Sequence, residues 1–258
     1  MNILDQLAEH AKYRVSEKKK LISLTEIKRQ ASALPKGGFE FEKALTKDDI
    51  AFICECKKAS PSKGLIAENF PYLQIAKDYE SAGADCISVL TEPKWFLGCD
   101  DYLKEITENV TIPCIRKDFT VDEYMIYEAK LLGAKAVLLI CSILSVEELK
   151  AYRQLCDDLG LTALVEAHDA DEIQMALQAG ARVIGVNNRN LKNFTVDTSN
   201  STGLRELVPE DIIFVSESGV KDASDIAALR KAGVNAVLIG ETLMRAEDKK
   251  AKLMELKG

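Results

Sequence analysis

The sequence predicts an α/β protein in which eight parallel strands close into a ring, and three observations carry that prediction. One short phrase recurs four times, as Ala82-Gly83-Ala84-Asp85, Leu132-Gly133-Ala134-Lys135, Ala179-Gly180-Ala181-Arg182 and Ala232-Gly233-Val234-Asn235. Each copy runs into an apolar stretch, at residues 86–90, 136–140, 183–186 and 236–239. Glycine past a helix end adopts the left-handed conformation cheaply, and a strand buried on both faces reads as a continuous apolar run, so each copy is a predicted helix-to-strand turn. The four glycines stand 50, 47 and 53 residues apart, which leaves room for two βα units per interval and about eight around a closed barrel. Length agrees: 258 residues is close to the ~250 typical of one (β/α)8, or TIM, barrel. No linker-like stretch divides the chain, so residues 1–258 read as a single barrel domain.

Residues 1–45 read as an N-terminal helical extension. Ile3, Leu4, Leu7, Ala8, Ala11 and Val15 follow helical spacing and lead into the basic run Lys18-Lys19-Lys20. That apolar stripe has to cover something. Two readings stay open: a plug beneath or beside the barrel, and a lid over its mouth.

Eight strand candidates follow, at residues 51–57, 86–90, 113–117, 136–141, 162–166, 183–187, 212–216 and 236–240. Helical patterns fall between them at residues 72–81, 122–132, 146–159, 170–179 and 223–232. Ser145 with Glu148 three residues later is a capping-box sequence at the start of one of these helices. Alternation of strand and helix implies a parallel sheet.

Composition sets limits on function. A chain that is 47% hydrophobic and 29% charged has apolar mass for one large core and a solvated surface. A net charge of −7 argues against a broad footprint for nucleic acid or anionic lipid, so an anionic substrate needs local cations. Seven cysteines without paired spacing and two histidines, His10 and His168, argue against a metal cluster or a disulfide framework. The opening Met-Asn-Ile-Leu-Asp-Gln lacks the order of a secretory signal, and the longest apolar run, residues 136–141, falls far short of the ~20 residues that span a bilayer. Reduced thiols in a cytoplasmic enzyme fit these features, with no membrane or nucleic-acid partner.

In a parallel barrel the loops after the strands share one face, where active sites assemble. The strand ends here are polar: Glu55-Cys56-Lys57, Arg116-Lys117-Asp118, Glu166, Asn187-Asn188-Arg189, Ser216-Glu217-Ser218-Gly219 and Gly240-Glu241. Alternation along the first strand puts Ala51, Ile53, Glu55 and Lys57 on one face and Phe52, Cys54 and Cys56 on the other. The second set suits the helix layer, so Cys54 and Cys56 read as core thiols. Glu55 and Lys57 then point into the barrel, as do Lys117 with Ile115 and Glu166 with Leu164 and Thr162. Charges buried there are costly unless compensated, and such groups serve acid–base chemistry. The bland alternative is mutual neutralisation, Glu55 with Lys57 and Glu166 with Lys117.

Glycines after the seventh and eighth strands, in Ser218-Gly219 and Gly240-Glu241-Thr242, each read as opening a helix whose backbone N–H groups cradle a phosphate. The segment Ser60-Pro61-Ser62-Lys63-Gly64 reads as a mobile polar loop without regular structure. Lys63 there either meets a phosphate or is solvated.

Taken together, Glu55-Cys56-Lys57-Lys58-Ala59-Ser60-Pro61-Ser62, Ser88-Val89-Leu90-Thr91-Glu92, Arg116-Lys117-Asp118-Phe119, Glu166-Ala167-His168, Asn187-Asn188-Arg189-Asn190-Leu191 and Ser216-Glu217-Ser218-Gly219 resemble the indole-3-glycerol phosphate synthase family. The resemblance implies ring closure, decarboxylation and dehydration of 1-(2-carboxyphenylamino)-1-deoxyribulose 5-phosphate in tryptophan biosynthesis, with no metal or organic cofactor. It implies Lys117 as the acid that protonates the ribulose carbonyl, Lys57 as partner of the substrate carboxylate, Glu166 as base, Glu55 as its electrostatic support and Asn187 as the group orienting the anthranilate part. Arg189, Glu217 and Ser218 match substrate-contacting positions, and Ser60, Gly219, Gly240 and Glu241 match the phosphate site. The expected assembly is a monomer or weak homodimer.

One loop departs from the family pattern. After Thr91-Glu92 this chain carries Pro93, Trp95, Leu97 and Cys99 where a longer polar run is usual, and Trp95 either stacks on an aromatic substrate or packs on the extension. Rival readings of the same residues are a Schiff-base aldolase using Lys117 or Lys57, an isomerase of phosphoribosyl compounds, and a non-catalytic sugar-phosphate sensor.

Overall fold

The computed structural model describes residues 2–190 and 194–258; Leu191, part of the resemblance, lies outside them. Eight parallel strands form a closed barrel: β1 (Ala51–Cys56), β2 (Cys86–Leu90), β3 (Cys114–Lys117), β4 (Ala136–Ile140), β5 (Thr162–Ala167), β6 (Val183–Asn187), β7 (Ile213–Glu217) and β8 (Ala236–Ile239). Each strand pairs with its successor, and β1 closes the ring on β8 with Ala51 opposite Ala236. The eight predicted strands are therefore the eight observed, with ends that differ by a residue.

The repeated phrase marks every even-numbered strand. Gly83, Gly133, Gly180 and Gly233 have φ of 82°, 83°, 75° and 75°, the left-handed region that only glycine enters without strain. At the first copy Gly83 N–H donates to the Glu80 carbonyl and Ala84 N–H to Tyr79, both at 2.9 Å, and the other three copies repeat this paired closure. It is the Schellman arrangement, which satisfies the last carbonyls of the helix, while the small residue after each glycine is buried against the core.

After α1 (Ile3–Leu21), α2 (Leu24–Ala33) and α3 (Glu40–Leu45), the ring of helices comprises α4 (Tyr72–Ser81), α5 (Asp100–Asn109), α6 (Glu123–Leu131), α7 (Val146–Leu159), α8 (Ala170–Gln178), α9 (Ser199–Leu204), α10 (Ala223–Lys231) and the C-terminal α11 (Glu241–Arg245) and α12 (Lys249–Lys257). The Ser145–Glu148 capping box is present at α7. Two apolar layers result, as the period-two reading requires. Phe52, Cys54 and Cys56 pack between strands and helices, whereas Ala51, Ile53, Ile115 and Leu164 fill the barrel interior.

Three helices make up the extension: α1 (Ile3–Leu21), α2 (Leu24–Ala33) and α3 (Glu40–Leu45). Different helices of the extension pack at the two ends of the barrel. Phe41 and Leu45 of α3 close the barrel floor, where Arg182 and Lys135, just ahead of β6 and β4, pair with Glu42 and Glu40. Leu4, Leu7 and Ala11 of α1 instead join the interior cluster from the opposite end, beside Phe96 and Phe119.

Ion pairs pin α1 at the mouth. Arg14 makes a two-pronged contact with Asp118 at 2.6 and 3.1 Å, Lys18 reaches Asp100 and Glu128, Lys19 reaches Asp122, and His10 lies 3.2 Å from Glu92. Burial alone would push the Asp118 carboxyl up, but Arg14, Arg116 and the Thr91 hydroxyl hold it down to about 2. Asp118→Asn leaves the Arg14 guanidinium without its carboxylate and is expected to cost about 3 kcal/mol, the lower end for breaking a buried pair, because Arg116 keeps Asp100 and Glu128. The wild-type advantage is present above the unfolded carboxyl's pKa of about 4 and is lost as pH falls toward 2. Denaturant titrations between those limits should show the wild-type stability converging on that of the variant.

Two sequence expectations need correction. The segment after β1 is a regular element, a short antiparallel hairpin of Ala59–Ser60 with Gly64–Leu65, because Gly64 at φ 61° supplies the tight reversal that reads in sequence as a break. Ser218-Gly219 also does not open a helix. Four residues beyond, Asp222 caps α10 and accepts from the N–H groups of Ser224 and Asp225, so that helix start is already satisfied. Gly240 does open one, as N-cap of α11.

Candidate active site

The strand alternation turns five charged side chains into one interior. Glu55 from β1, Glu166 from β5 and Glu217 from β7 are buried, at 4%, 2% and 2% exposure. Lys117, ending β3, sits among them with its Nζ 3.5 Å from Glu166 Oε2 and 3.7 Å from Glu217 Oε2. Lys57 lies 2.5 Å from Glu55 Oε1, and the Ser88 hydroxyl donates to the other Glu55 oxygen at 3.4 Å. All twelve site residues named from sequence line the same cavity of about 530 Å³. Its lining also has an apolar part, which includes Phe96, Phe119 and Leu138 together with Leu4 and Leu7 of α1.

Electrostatics sorts these groups by role. Burial disfavours the Lys117 ammonium, but Glu166, Glu217 and Glu55 outweigh it and raise its pKa above the ordinary lysine range. Burial likewise opposes Glu55 ionisation, yet Lys57 and Lys117 pull its pKa below normal. Glu217 goes the other way: burial and the charge of Glu166 push it up to about 8, against the pull of Lys117. Glu217 therefore holds a proton more readily than an ordinary carboxyl, because the dry interior and the neighbouring carboxylate both oppose its charge.

Two glycines make the room these groups need. A Cβ at Gly240 would lie 2.3 Å from Glu55 Oε1 and 2.7 Å from Lys57 Nζ; one at Gly185 would lie 2.2 Å from Glu217 Oε1. Gly185 was missed from sequence. Its signal is present, since a glycine inside an otherwise apolar strand marks a close approach. Gly240→Ala is expected to displace the Glu55–Lys57 pair and lower kcat about tenfold or more, the scale of a sub-ångström misplacement, with unfolding midpoint little changed. Steady-state kinetics beside thermal melts would separate the two.

At the ends of β6 and β7, Asn187 Oδ1 accepts from Arg189 N–H and Ser218 Oγ, both at 3.0 Å, and among the described residues its NH2 group has no hydrogen-bond partner. Ser218 holds φ of 69° without being glycine, a strained conformation of the kind that gathers at functional sites. Asn188, which sequence reading left unassigned, braces that turn by donating to Ser216 Oγ and the Ser218 carbonyl.

One corner of the cavity is cationic. Glu241 is approached by Arg245 at 3.1 Å, Lys63 at 3.4 Å and Arg189 at 3.5 Å, three positive charges against one negative. Lys63 is thus paired on the cavity rim, and Ser60, Gly219 and the Gly240–Glu241 backbone surround the same space. Trp95 does not line the cavity; its ring meets His10 of α1 edge-on at 5.4 Å and lies under Lys94, the packing alternative.

A closed (β/α)8 barrel with acid–base groups at one end of its interior and a cationic corner beside them defines a TIM-barrel enzyme acting on an anionic substrate. Residues 4–256 match the family model described as indole-3-glycerol phosphate synthase. The chain therefore belongs to the indole-3-glycerol phosphate synthase family. It is 59% identical to the indole-3-glycerol phosphate synthase of Ruminiclostridium cellulolyticum over 99% of each chain, and 53% identical to that of Endomicrobium trichonymphae over 99% of each. Among solved structures, KGPDC from Streptococcus mutans superposes with a TM-score of 0.63 at 14% identity, covering 81% of this chain and 96% of that one. Thiamine phosphate pyrophosphorylase from Pyrococcus furiosus gives 0.59 at 15% identity, over 81% and 93%. Those two likenesses concern the fold alone.

Proposed function

We propose that the cavity converts 1-(2-carboxyphenylamino)-1-deoxyribulose 5-phosphate to indole-3-glycerol phosphate, carbon dioxide and water, with the labour divided among the residues above. The chain is a carboxy-lyase of tryptophan biosynthesis by its family. Attack of the aromatic ring on the ribulose carbonyl builds negative charge on oxygen, and Lys117 supplies the proton. A buried ammonium with little solvent to reorganise is suited to that task. Lys57 pairs with the substrate carboxylate until carbon dioxide leaves, then assists departure of the hydroxyl as water. Glu166 takes the final proton that completes the indole, with Glu55 supporting it.

Asn187 orients the anthranilate part through its NH2 group, and Phe96, Phe119 and Leu138 enclose the ring. Arg189, Glu217 and Ser218 contact the substrate between ring and sugar. Ser60, Gly219, Gly240 and the Glu241 backbone take the phosphate in the cationic corner, with Lys63 on its rim. Residues 1–45 and the barrel act as one domain, α1 covering the bound substrate. The enzyme works as a monomer or weak homodimer in the cytoplasm, without nucleic acid; no helix among the described residues is long and apolar enough to cross a membrane.

The observation that carries this reading is Lys117 held between Glu166 and Glu217, an acid and a base within one hydrogen-bonded reach. It also weighs against the aldolase, because a lysine whose pKa is raised is a poor amine nucleophile. The test is to supply the carboxyphenylamino deoxyribulose phosphate without added metal. Indole fluorescence should rise with one carbon dioxide released per indole, and borohydride should trap no lysine adduct.

A further inference from the structure

We propose that His168 is a positioning residue for this site: its imidazole, anchored by Glu172, bridges to Glu166 and holds that carboxylate with one oxygen facing Lys117. The proposal rests on the reading of Glu166 as base. His168 follows β5 by one residue, two beyond Glu166, so both side chains leave the same strand end. Its Nδ1 lies 3.0 Å from Glu172 Oε2, an oxygen that also accepts the His168 backbone N–H at 2.8 Å. The remaining Glu172 oxygen accepts from the Ser142 hydroxyl. Glu172 is thereby fixed from two sides, and it fixes the ring.

The far edge of the ring is the informative part. His168 Nε2 is buried without a hydrogen-bond partner among the described residues, and the nearest acidic oxygen is Glu166 Oε1 at 3.6 Å. The two oxygens of Glu166 therefore divide, Oε1 toward His168 and Oε2 toward Lys117. A carboxylate only accepts, so the Glu172 contact places a proton on Nδ1. A neutral ring would then turn its Nε2 lone pair toward Glu166. The imidazolium instead offers an N–H, and closing the gap by about half an ångström completes the bond.

The charged groups facing the ring favour that protonated form. They are Glu166 from β5, Glu172 from α8 and, at longer range, Glu217 from β7; the neutral Ser142 approaches beside them, and Asn200 of α9 donates to the His168 carbonyl. Burial lowers the His168 pKa, but the Glu172 hydrogen bond and these charges raise it overall.

His10 is the only other histidine in the chain, so NMR of the His10→Asn protein reads His168 alone. We expect its ring to titrate above the ordinary histidine midpoint of about 6.5, and the midpoint to fall when Glu166→Gln is added. An unchanged midpoint would overturn the bridge. In kinetics, His168→Leu should lower kcat about 10- to 100-fold with KM held, and move the acid limb of the kcat profile to higher pH. His168→Gln, which keeps an N–H donor, should recover part of the rate. If Glu166→Gln itself retains full turnover, the base assignment fails. If Glu166→Gln is inactive while His168→Leu keeps both wild-type rate and acid limb, positioning by His168 fails alone.

Discussion

Lys117→Ala is expected to lower kcat by about 10³-fold while KM changes only a few-fold, the signature of a group that acts in the transition state more than in binding. The direction follows from what surrounds the ammonium. Lys117 is the positive charge between Glu166 and Glu217, and it also acts at a distance on Glu55. In the proposed mechanism its loss leaves the carbonyl oxygen without an acid, and the carboxylates lose the charge that lets them lie together. Glu217, already pushed up to about 8, should rise further, so the variant should take up protons on folding and lose stability as pH climbs from about 4 toward 8. Lys117→Met, which keeps the stem, should match Ala in rate. Turnover near wild type in either variant would remove Lys117 from the chemistry.

Glu166→Gln should be nearly as severe, lowering kcat by about 10²- to 10⁴-fold, because the amide preserves shape but accepts no proton. It carries a second expectation that a purely steric effect lacks. The charge of Glu166 is one cause of the raised Glu217 pKa, so in Glu166→Gln the Glu217 carboxyl should titrate well below 8. Infrared or carbon NMR of labelled glutamate would follow it. An unmoved Glu217 would mean that burial alone sets its protonation and that the two carboxyls do not share one field.

Much of this was legible from residue order because two rules act locally. The left-handed glycine at Gly83 and its three repeats fixes where a helix ends and a buried strand begins, whatever surrounds it. Alternation along β1 fixes which side of the sheet Glu55 and Lys57 occupy once Phe52 and Cys54 face the helices. Those rules suffice to bring Lys57, Lys117 and Glu166 to one rim. The resemblance added roles that spacing does not carry.

What stayed hidden depends on contacts between distant segments. That α1 caps the mouth while α3 closes the floor is decided by partners such as Asp118 for Arg14, 104 residues apart, and by Arg182 for Glu42. The hairpin at Ala59–Ser60 and Gly64–Leu65 was misread because proline and glycine break regular structure in isolation, yet Gly64 here makes the reversal that pairs the two strands. The cap of α10 was placed too early because Ser218-Gly219 resembles a helix start, whereas Asp222 is the residue that captures the free N–H groups. The Gly185 gap and the split oxygens of Glu166 are likewise properties of neighbours across strands.

The most direct test of the account is a crystal structure of Lys117→Ala soaked with 1-(2-carboxyphenylamino)-1-deoxyribulose 5-phosphate. The phosphoryl group should lie among Ser60, Gly219 and Gly240, with the substrate carboxylate at Lys57 and the ribulose carbonyl facing residue 117. A substrate seated the other way round, its phosphoryl group against Lys57 and its ring in the Glu241 corner, would contradict it.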